Sequence, residues 1–320
     1  MQKILVTGGA GFVGSYVVRQ LLEKGCEVVV FDAFKQYISP LDSNYQKYLR
    51  KRFEGIEELV TFVRGNTENK AEVRRAIMKY SPDVVVHLAA LPIADLSNLH
   101  TEEALSSILH GTVNILEVIR DVNFVKRFVY ISSSMVYGDF EYVPDEEHPK
   151  HPKEVYGGIK LSGEILTEVF GRRYGFEYVI IRPSAVYGPT DVNRRVSQIF
   201  VENALLGKEL KLYNGGKTCL DFTYVEDTAR GIVLAVFTKE ARNQAFNITR
   251  GEGRELIEFA QIIKSIVPKV NIKIIKKQSD VFRPKRGAMD ISKAKKILQY
   301  KPQVSLEEGI KKYLSFLMAD

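Results

Sequence analysis

Apolar residues fall along this chain in short β-branched blocks, separated by longer stretches with helical spacing. Blocks at 3–7, 27–31, 60–64, 84–87, 127–131 and 177–181 read as strands; Lys3-Ile4-Leu5-Val6-Thr7 and Val28-Val29-Val30-Phe31 are typical. Between them, amphipathic patterns predict helices near 12–24, 70–80, 102–121 and 154–174. Strand and helix alternating in this way predict an α/β protein with a doubly wound parallel sheet.

The 33–58 stretch, with Tyr37, Pro40, Tyr45, Tyr48 and several Lys and Arg, is a long excursion between strands two and three. It reads as partly helical surface. Past Gly188 the alternation breaks. Short strands near 211–213 and 246–249 mix with helices near 195–206, 226–238, 255–266 and 305–317. The expected organisation is a cofactor-binding region over 1–181 and a smaller α/β substrate-binding region over 182–320. Returns to the main sheet make that boundary nominal.

The first strand runs into Gly8-Gly9-Ala10-Gly11-Phe12-Val13-Gly14, a helical stretch follows, and the second strand ends in Asp32. Strand, glycine turn, helix, strand and acid in this order form a dinucleotide site. Gly8 permits the tight turn, Gly11 lets the backbone approach a pyrophosphate, and Gly14 lets the helix pack closely on the sheet. The helix N-terminus turns unpaired N–H groups toward the phosphates. A carboxylate at Asp32 accepts hydrogen bonds from ribose hydroxyls and repels a 2′-phosphate, which favours NAD over NADP. Lys35 reads as a solvated loop lysine.

Val155-Tyr156-Gly157-Gly158-Ile159-Lys160 sets a tyrosine and a lysine four apart, on one helix face. An ammonium beside a phenol favours the phenolate, and such a tyrosine can take a proton from an alcohol near neutral pH. Two consecutive glycines cost a helix roughly 1 kcal/mol each, and they predict close approach of a cofactor, a substrate or another element to the backbone. Ser133 stands just past the strand at 127–131, at the end of a parallel sheet where ligands sit. Its hydroxyl can steady charge on a reacting oxygen. His87 is expected to be structural, and Tyr137 and Tyr187 to line the cleft.

The 320 residues can bury a large core. The net charge of +7 is spread along the chain with acids interleaved, so nucleic-acid binding is not expected. It suits an anionic nucleotide-diphosphate substrate. Cys26 and Cys219 lie in different halves without metal-ligand spacing, so no metal site, free thiols and a cytoplasmic location are expected. No apolar run approaches the ~20 residues of a membrane span. Met1 is followed at once by a strand, which argues against a signal peptide.

Several motifs in order resemble the extended short-chain dehydrogenase/reductases, the nucleotide-sugar epimerases and dehydratases with a Rossmann-type sheet. They are the glycine loop, His87-Leu88-Ala89-Ala90, Gly111-Thr112-Val113-Asn114-Ile115-Leu116-Glu117 and Ser132-Ser133-Ser134-Met135-Val136-Tyr137-Gly138. The Tyr156/Lys160 pair follows, then Arg182-Pro183-Ser184-Ala185-Val186-Tyr187-Gly188-Pro189, Asp221-Phe222-Thr223-Tyr224-Val225-Glu226-Asp227 and Asp290-Ile291-Ser292-Lys293-Ala294. The resemblance implies that Ser133, rather than Ser132 or Ser134, works with Tyr156 and Lys160. Lys160 would also hold the nicotinamide ribose. Cofactor contacts are implied at Gly8, Gly11, Phe12, Val13, Gly14, Asp32, Asn66, Thr67, Leu88, Ala89 and Ala90. A homodimer through helices near 102–121 and 154–174 is implied as well.

The chain also departs from that pattern. Ser134-Met135 stands where the dehydratases keep Asp-Glu, so dehydration lacks its proton carriers. Ala185 and Leu220 replace an asparagine and an arginine that help hold the substrate diphosphate. Arg194, Arg195, Lys217, Arg283 and Arg286 are the candidate replacements, with Ser134, Met135 and Ala185 lining the substrate. The expected activity is NAD-dependent 4-epimerisation of a UDP- or GDP-linked sugar. The alternative is a sugar 4-dehydrogenase or 4-ketoreductase with net redox change. A non-catalytic NAD-binding regulator is disfavoured by the intact Ser133, Tyr156 and Lys160.

Overall fold

A computed structural model describes residues 1–39, 43–277 and 282–319. Strands β1 (Lys3–Thr7), β2 (Glu27–Asp32), β3 (Val60–Arg64), β4 (Val84–His87), β5 (Arg127–Ile131) and β6 (Glu177–Pro183) occupy the first half. Helices α1 (Phe12–Glu23), α2 (Tyr45–Phe53), α3 (Lys70–Tyr80), α4 (Ala94–Leu99), α5 (Thr101–Ala104), α6 (Gly111–Arg120) and α7 (Val155–Tyr174) alternate with them. The second half contributes β7 (Val186–Tyr187), α8 (Val196–Leu205), β8 (Leu210–Leu212), β9 (Cys219–Leu220), β10 (Thr223–Tyr224) and α9 (Val225–Phe237). Beyond them lie β11 (Gln244–Ile248), β12 (Arg254–Glu255), α10 (Leu256–Ile266), β13 (Ile272–Ile274), α11 (Ser292–Ile297) and α12 (Leu306–Ala319).

The main sheet has seven strands in the order β11-β6-β5-β4-β1-β2-β3. All its pairings are parallel. Helices cover both faces, so β2 and β4 are continuous valine runs instead of alternating ones. Successive residues still point to opposite sides. Ile4, Val6, Val28, Val30, Val84 and Val86 pack in one core with α1, α9 and Ile291–Tyr300 residues such as Ala294 and Leu298. Leu5, Val29, Val85, Phe128 and Tyr130 enter the other, with Val73, Ile77, Ile115 and Leu116 of α3 and α6. A third core, around Phe200, Phe222, Phe259 and Tyr313, belongs wholly to the second half.

Three findings differ from the sequence expectation. The helix expected over 102–121 is interrupted by a wide π turn at Leu105–His110. The excursion at 33–58 is not only surface, since Tyr45, Tyr48 and Arg52 of α2 are buried; Pro40 lies outside the described residues. Tyr137 and Tyr187 are core residues rather than cleft walls. Tyr137 donates to Asn247 Oδ1 at 2.8 Å, and Tyr187 stacks edge-on against Phe222, Tyr224 and Phe259. Among the described residues no helix is long and apolar enough to cross a membrane. Cys26 and Cys219 are free thiols.

Helix α7 is held on the sheet from beneath. A Cβ on Gly163 would stand 2.2 Å from the Tyr130 hydroxyl, and one on Gly171 would stand 2.5 Å from the Tyr178 ring, so neither position tolerates a side chain. Glu164 turns its carboxylate down to Arg182 of β6, accepting two hydrogen bonds at 2.9 and 2.7 Å, with both side chains only 2% exposed. Arg182 also donates to the Tyr137 hydroxyl and the Glu146 carbonyl. Removing one partner of a buried pair leaves the other charge stranded, at a cost of about 3–5 kcal/mol. Glu164→Leu is therefore expected to lower unfolding stability by that amount in urea titration. A loss under 1 kcal/mol would show that the pair does not secure α7.

Candidate active site

The carboxyl ends of the central strands open on a cleft of about 620 Å³. The glycine loop forms its floor. Gly8 takes φ +68°, and a Cβ on Gly14 would come within 2.2 Å of the Gly8 carbonyl oxygen. Only glycine lets α1 start so close to the turn. Its N-cap, Gly11, offers no side chain, and no acid occupies the first turn. The first N–H groups therefore remain available to phosphate oxygens. Asp32 closes this end. Its carboxylate accepts from Ala10 N at 3.0 Å and Phe34 N at 2.7 Å. Burial pushes its pKa up, those two bonds pulling it back. Each carboxylate oxygen keeps a further lone pair for a ribose hydroxyl. The groups present thus fit a dinucleotide.

Phe12, Val13, Asn66, Thr67, Leu88, Ala89 and Ala90 also line the cleft. Asn66 is already engaged: its amide donates to Glu68 Oε1 at 3.2 Å and accepts from Glu68 N at 3.1 Å. Lys35 is not simply solvated, as it pairs with Glu68 at 2.7 Å on the rim. Arg52 closes a run of basic residues, Arg50-Lys51-Arg52, that carries no sequence signal of burial. It lies beneath the glycine loop, donating to the Ala10 and Thr190 carbonyls at 2.8 and 2.6 Å.

Ser133, Tyr156 and Lys160 meet at the end of β5. Ser133 Oγ accepts from Met135 N at 3.2 Å and is among the groups that favour ionisation of Tyr156. Lys160 Nζ donates to the Ile131 carbonyl at 2.7 Å and stands 5.9 Å from the Tyr156 ring centre. The electrostatics differ from the sequence expectation. Burial pushes the Tyr156 hydroxyl up, and the groups that pull it back are Arg195, Ser133 and Arg286. Lys160 is not among them, and burial draws its own pKa down to about 7, against Glu164. Of the glycine pair beside them, one member meets another element and the other meets nothing. A Cβ on Gly157 would meet the Met135 carbonyl at 2.6 Å, whereas Gly158 faces open space. His87 is locked between Thr7 and Thr112 at 2.7 and 3.0 Å, and burial lowers it to about 3, so it stays neutral.

At the other end of the cleft, Arg194, Arg195, Arg283 and Arg286 all reach the wall, with Ala185 and Leu220 between them. Arg195 holds Asp191 at 2.8 and 2.9 Å. Arg283 holds the Asp95 carboxylate and approaches Glu154 at 3.8 Å. Arg194 is half exposed, 3.9 Å from Glu202. Arg286 touches Ser134 and Met135. Lys217 is exposed and off the cleft, and Lys211 takes a place there instead. Ala185 keeps φ +36°, a backbone shape that asparagine adopts more readily.

A family model described as the NAD dependent epimerase/dehydratase family matches residues 4–249. The chain belongs to that family. It is an NAD-dependent enzyme of the extended short-chain dehydrogenase/reductase type. A putative UDP-glucose 4-epimerase of Methanocaldococcus jannaschii is 31% identical over 98% of this chain and 98% of its own length. The dTDP-glucose 4,6-dehydratase of Salmonella typhimurium is 29% identical over 99% of this chain and 93% of its own. The crystal structure of UDP-glucuronic acid 4-epimerase from Bacillus cereus, in complex with UDP-glucuronic acid and NAD, matches with a TM-score of 0.90. It is 29% identical and covers 99% of both chains.

Burial of Lys160 has a measurable consequence. Its pKa falls from an ordinary 10.5 to about 7 in the folded protein. Between those values the unfolded chain binds the extra proton, so this group makes stability rise with pH, at up to about 1.4 kcal/mol per unit. Nucleotide-free Lys160→Met should lack that rise between pH 7 and 10. Parallel stability curves for variant and wild type would place the amine in a solvated, fully charged state.

Proposed function

We propose that this epimerase/dehydratase family member is a nucleotide-sugar 4-epimerase, with Ser133, Tyr156 and Lys160 as its catalytic residues. The observation that carries this reading is the meeting of all three at the sheet end of the NAD cleft, beside a Ser134-Met135 pair that can neither give nor take a proton at neutral pH. Tyr156 Oη takes the proton from the sugar C4 hydroxyl. Ser133 Oγ holds that oxygen as its charge develops. Lys160, fixed on the Ile131 carbonyl, reaches toward the nicotinamide ribose. NAD, when bound, supplies the hydride acceptor, then the donor, and a positive ring beside the phenol. The 4-keto sugar turns over in the cleft, Tyr156 returns its proton, and the C4 epimer results. Asp32 selects NAD over NADP. The region from 182 onward carries most substrate contacts, with Arg194, Arg195, Arg283 and Arg286 as the cations around a UDP- or GDP-linked sugar. Names of the relatives support a nucleotide sugar and the 4-epimerase chemistry; a dehydratase is also among them, but its acid and base have no counterpart here.

The test is product analysis with UDP- and GDP-hexoses and hexuronates in deuterated water. The C4 epimer should form with no net NADH and no deuterium at C5. Stoichiometric NADH with a keto product would replace the reading with a 4-dehydrogenase, and a 6-deoxy-4-keto product would replace it with a dehydratase. Tyr156→Phe should cost roughly 10²–10⁴ in kcat and still bind NAD.

We also propose a homodimer through α7 and the helix that precedes β5. Ile165 and Val169 of α7 support it, being apolar yet 54% and 53% exposed. Sedimentation equilibrium should give twice the chain mass, and Ile165→Glu should halve it; a monomeric wild type would end the proposal.

A further inference from the structure

Arg286 lies on a firmly anchored stretch of backbone at the other end of the cleft. The segment that carries it is bonded on both sides. Lys285 N donates to Asp139 Oδ1 and Lys285 O accepts from Phe140 N, each at 2.7 Å. Met289 N donates to buried Asp221 at 3.0 Å, and Asp290 N to the Pro144 carbonyl at 3.0 Å. The guanidinium then points at neutral atoms. Its Nη1 lies 3.3 Å from Ser134 Oγ and 3.1 Å from Met135 Sδ. Among the described residues, no carboxylate oxygen stands within 4.0 Å of it, whereas Arg195, Arg283 and Arg182 each hold one. Burial, with Arg283 nearby, pulls its pKa down to about 10, against Glu154 and Asp221.

A guanidinium has five donors, and a hydroxyl and a thioether satisfy few of them. Arg286 is half-buried on the cleft wall, and Glu154 and Asp221 act on it only from beyond 4.0 Å; a cation drawn from water without a paired anion is unfavourable. The site therefore suits an anion, and a carboxylate fits the planar fork with two parallel hydrogen bonds. Its location says which one. Ser134 and Met135 directly follow Ser133, whose hydroxyl Met135 N already contacts at 3.2 Å. Arg286 thus faces the reacting part of the sugar. On a hexose ring the exocyclic carbon at C5 is next to C4, while the diphosphate hangs from C1, across the ring.

We infer that Arg286 is a specificity residue for a carboxylate at C5, so that the substrate class is nucleotide-diphosphate uronic acids rather than neutral hexoses. The inference rests on the reading above that Ser133 and Tyr156 act at C4. Arg194 and Lys211 are left to meet the diphosphate.

The test compares UDP-glucuronate with UDP-glucose, which differ only at C6, by calorimetric titration of the NAD-loaded protein. Glucuronate 1-phosphate and glucose 1-phosphate repeat the contrast without a nucleobase. Wild type should favour the acid by roughly 10–100-fold, the range expected for charged hydrogen bonds. In Arg286→Gln that ratio should fall toward one, and Arg286→Lys, which keeps charge but not the fork, should lie between. NAD affinity measured for each variant identifies one that fails to fold. A wild type that binds both sugars alike, or neither, overturns the inference. So does an equal loss on both sugars in Arg286→Gln, which would assign the residue to the diphosphate. Binding decides this point, while the identity of the product, read separately, decides whether the chemistry is 4-epimerisation.

Discussion

The close seating of α7 on the sheet is the constraint on which the rest of this molecule depends. One helix carries the proposed acid–base tyrosine, the lysine and the acid that meets Arg182. Its underside must touch β5, β6 and the turn after β5 at once. Glycine at 163 and 171 removes the atoms that would hold it off, and glycine at 157 does the same against the Met135 carbonyl. Lys160 then reaches the Ile131 carbonyl and Glu164 reaches Arg182. Shifting the helix by the width of one methyl group would break both contacts together and part the phenol from the Ser133 hydroxyl. Packing and chemistry are here the same requirement.

Much of this was legible in the sequence, for reasons that can be traced. β2 and β4 were clear because a parallel strand buried on both faces must be apolar throughout, and valine runs of that length have few other uses. The dinucleotide turn was legible because three separate needs, a turn, a close approach and a tight helix, all call for glycine at fixed spacing. Direction of burial was harder. Tyr137 and Tyr187 precede glycines near a cleft, yet their hydroxyls find partners inside, at Asn247 and the Leu306 carbonyl, and they turn inward. Arg52 sits among lysines and arginines that face water, and only the packing of α2 under the glycine loop turns it inward. Residues far apart in the chain carried no signal of meeting. Nothing in Ser134-Met135 announces that Arg286 will lie on it.

Charge placement in the cleft follows from what each group can reach. Arg195 and Arg283 find carboxylates close by, Asp191 and Asp95, and are largely neutralised. Asp221 is buried and pushed up to about 6, yet it accepts from Arg250, Gly251 and Met289 N–H groups. It ties the loop after β11 to the segment before α11, and so fixes the backbone near the cleft-lining Arg286. The phenol of Tyr156 is left where burial opposes its ionisation and two arginines favour it. That balance shifts with whatever anion enters, so occupancy and proton transfer are linked through the same few charges.

The path of the chain through its own core sets an order on how the protein can be made. β11 completes the edge of the main sheet only after residue 244 has been synthesised. Ile291, Ala294, Leu298 and Tyr300 then fill the same core as β1 and α1. Until β11 is made β6 keeps an open edge, and until Tyr300 is made that core is covered only in part, by α1 and α9. Such edges invite pairing with other chains. A growing polypeptide of this architecture therefore carries an unpaired strand edge and an unfinished core until late in its synthesis.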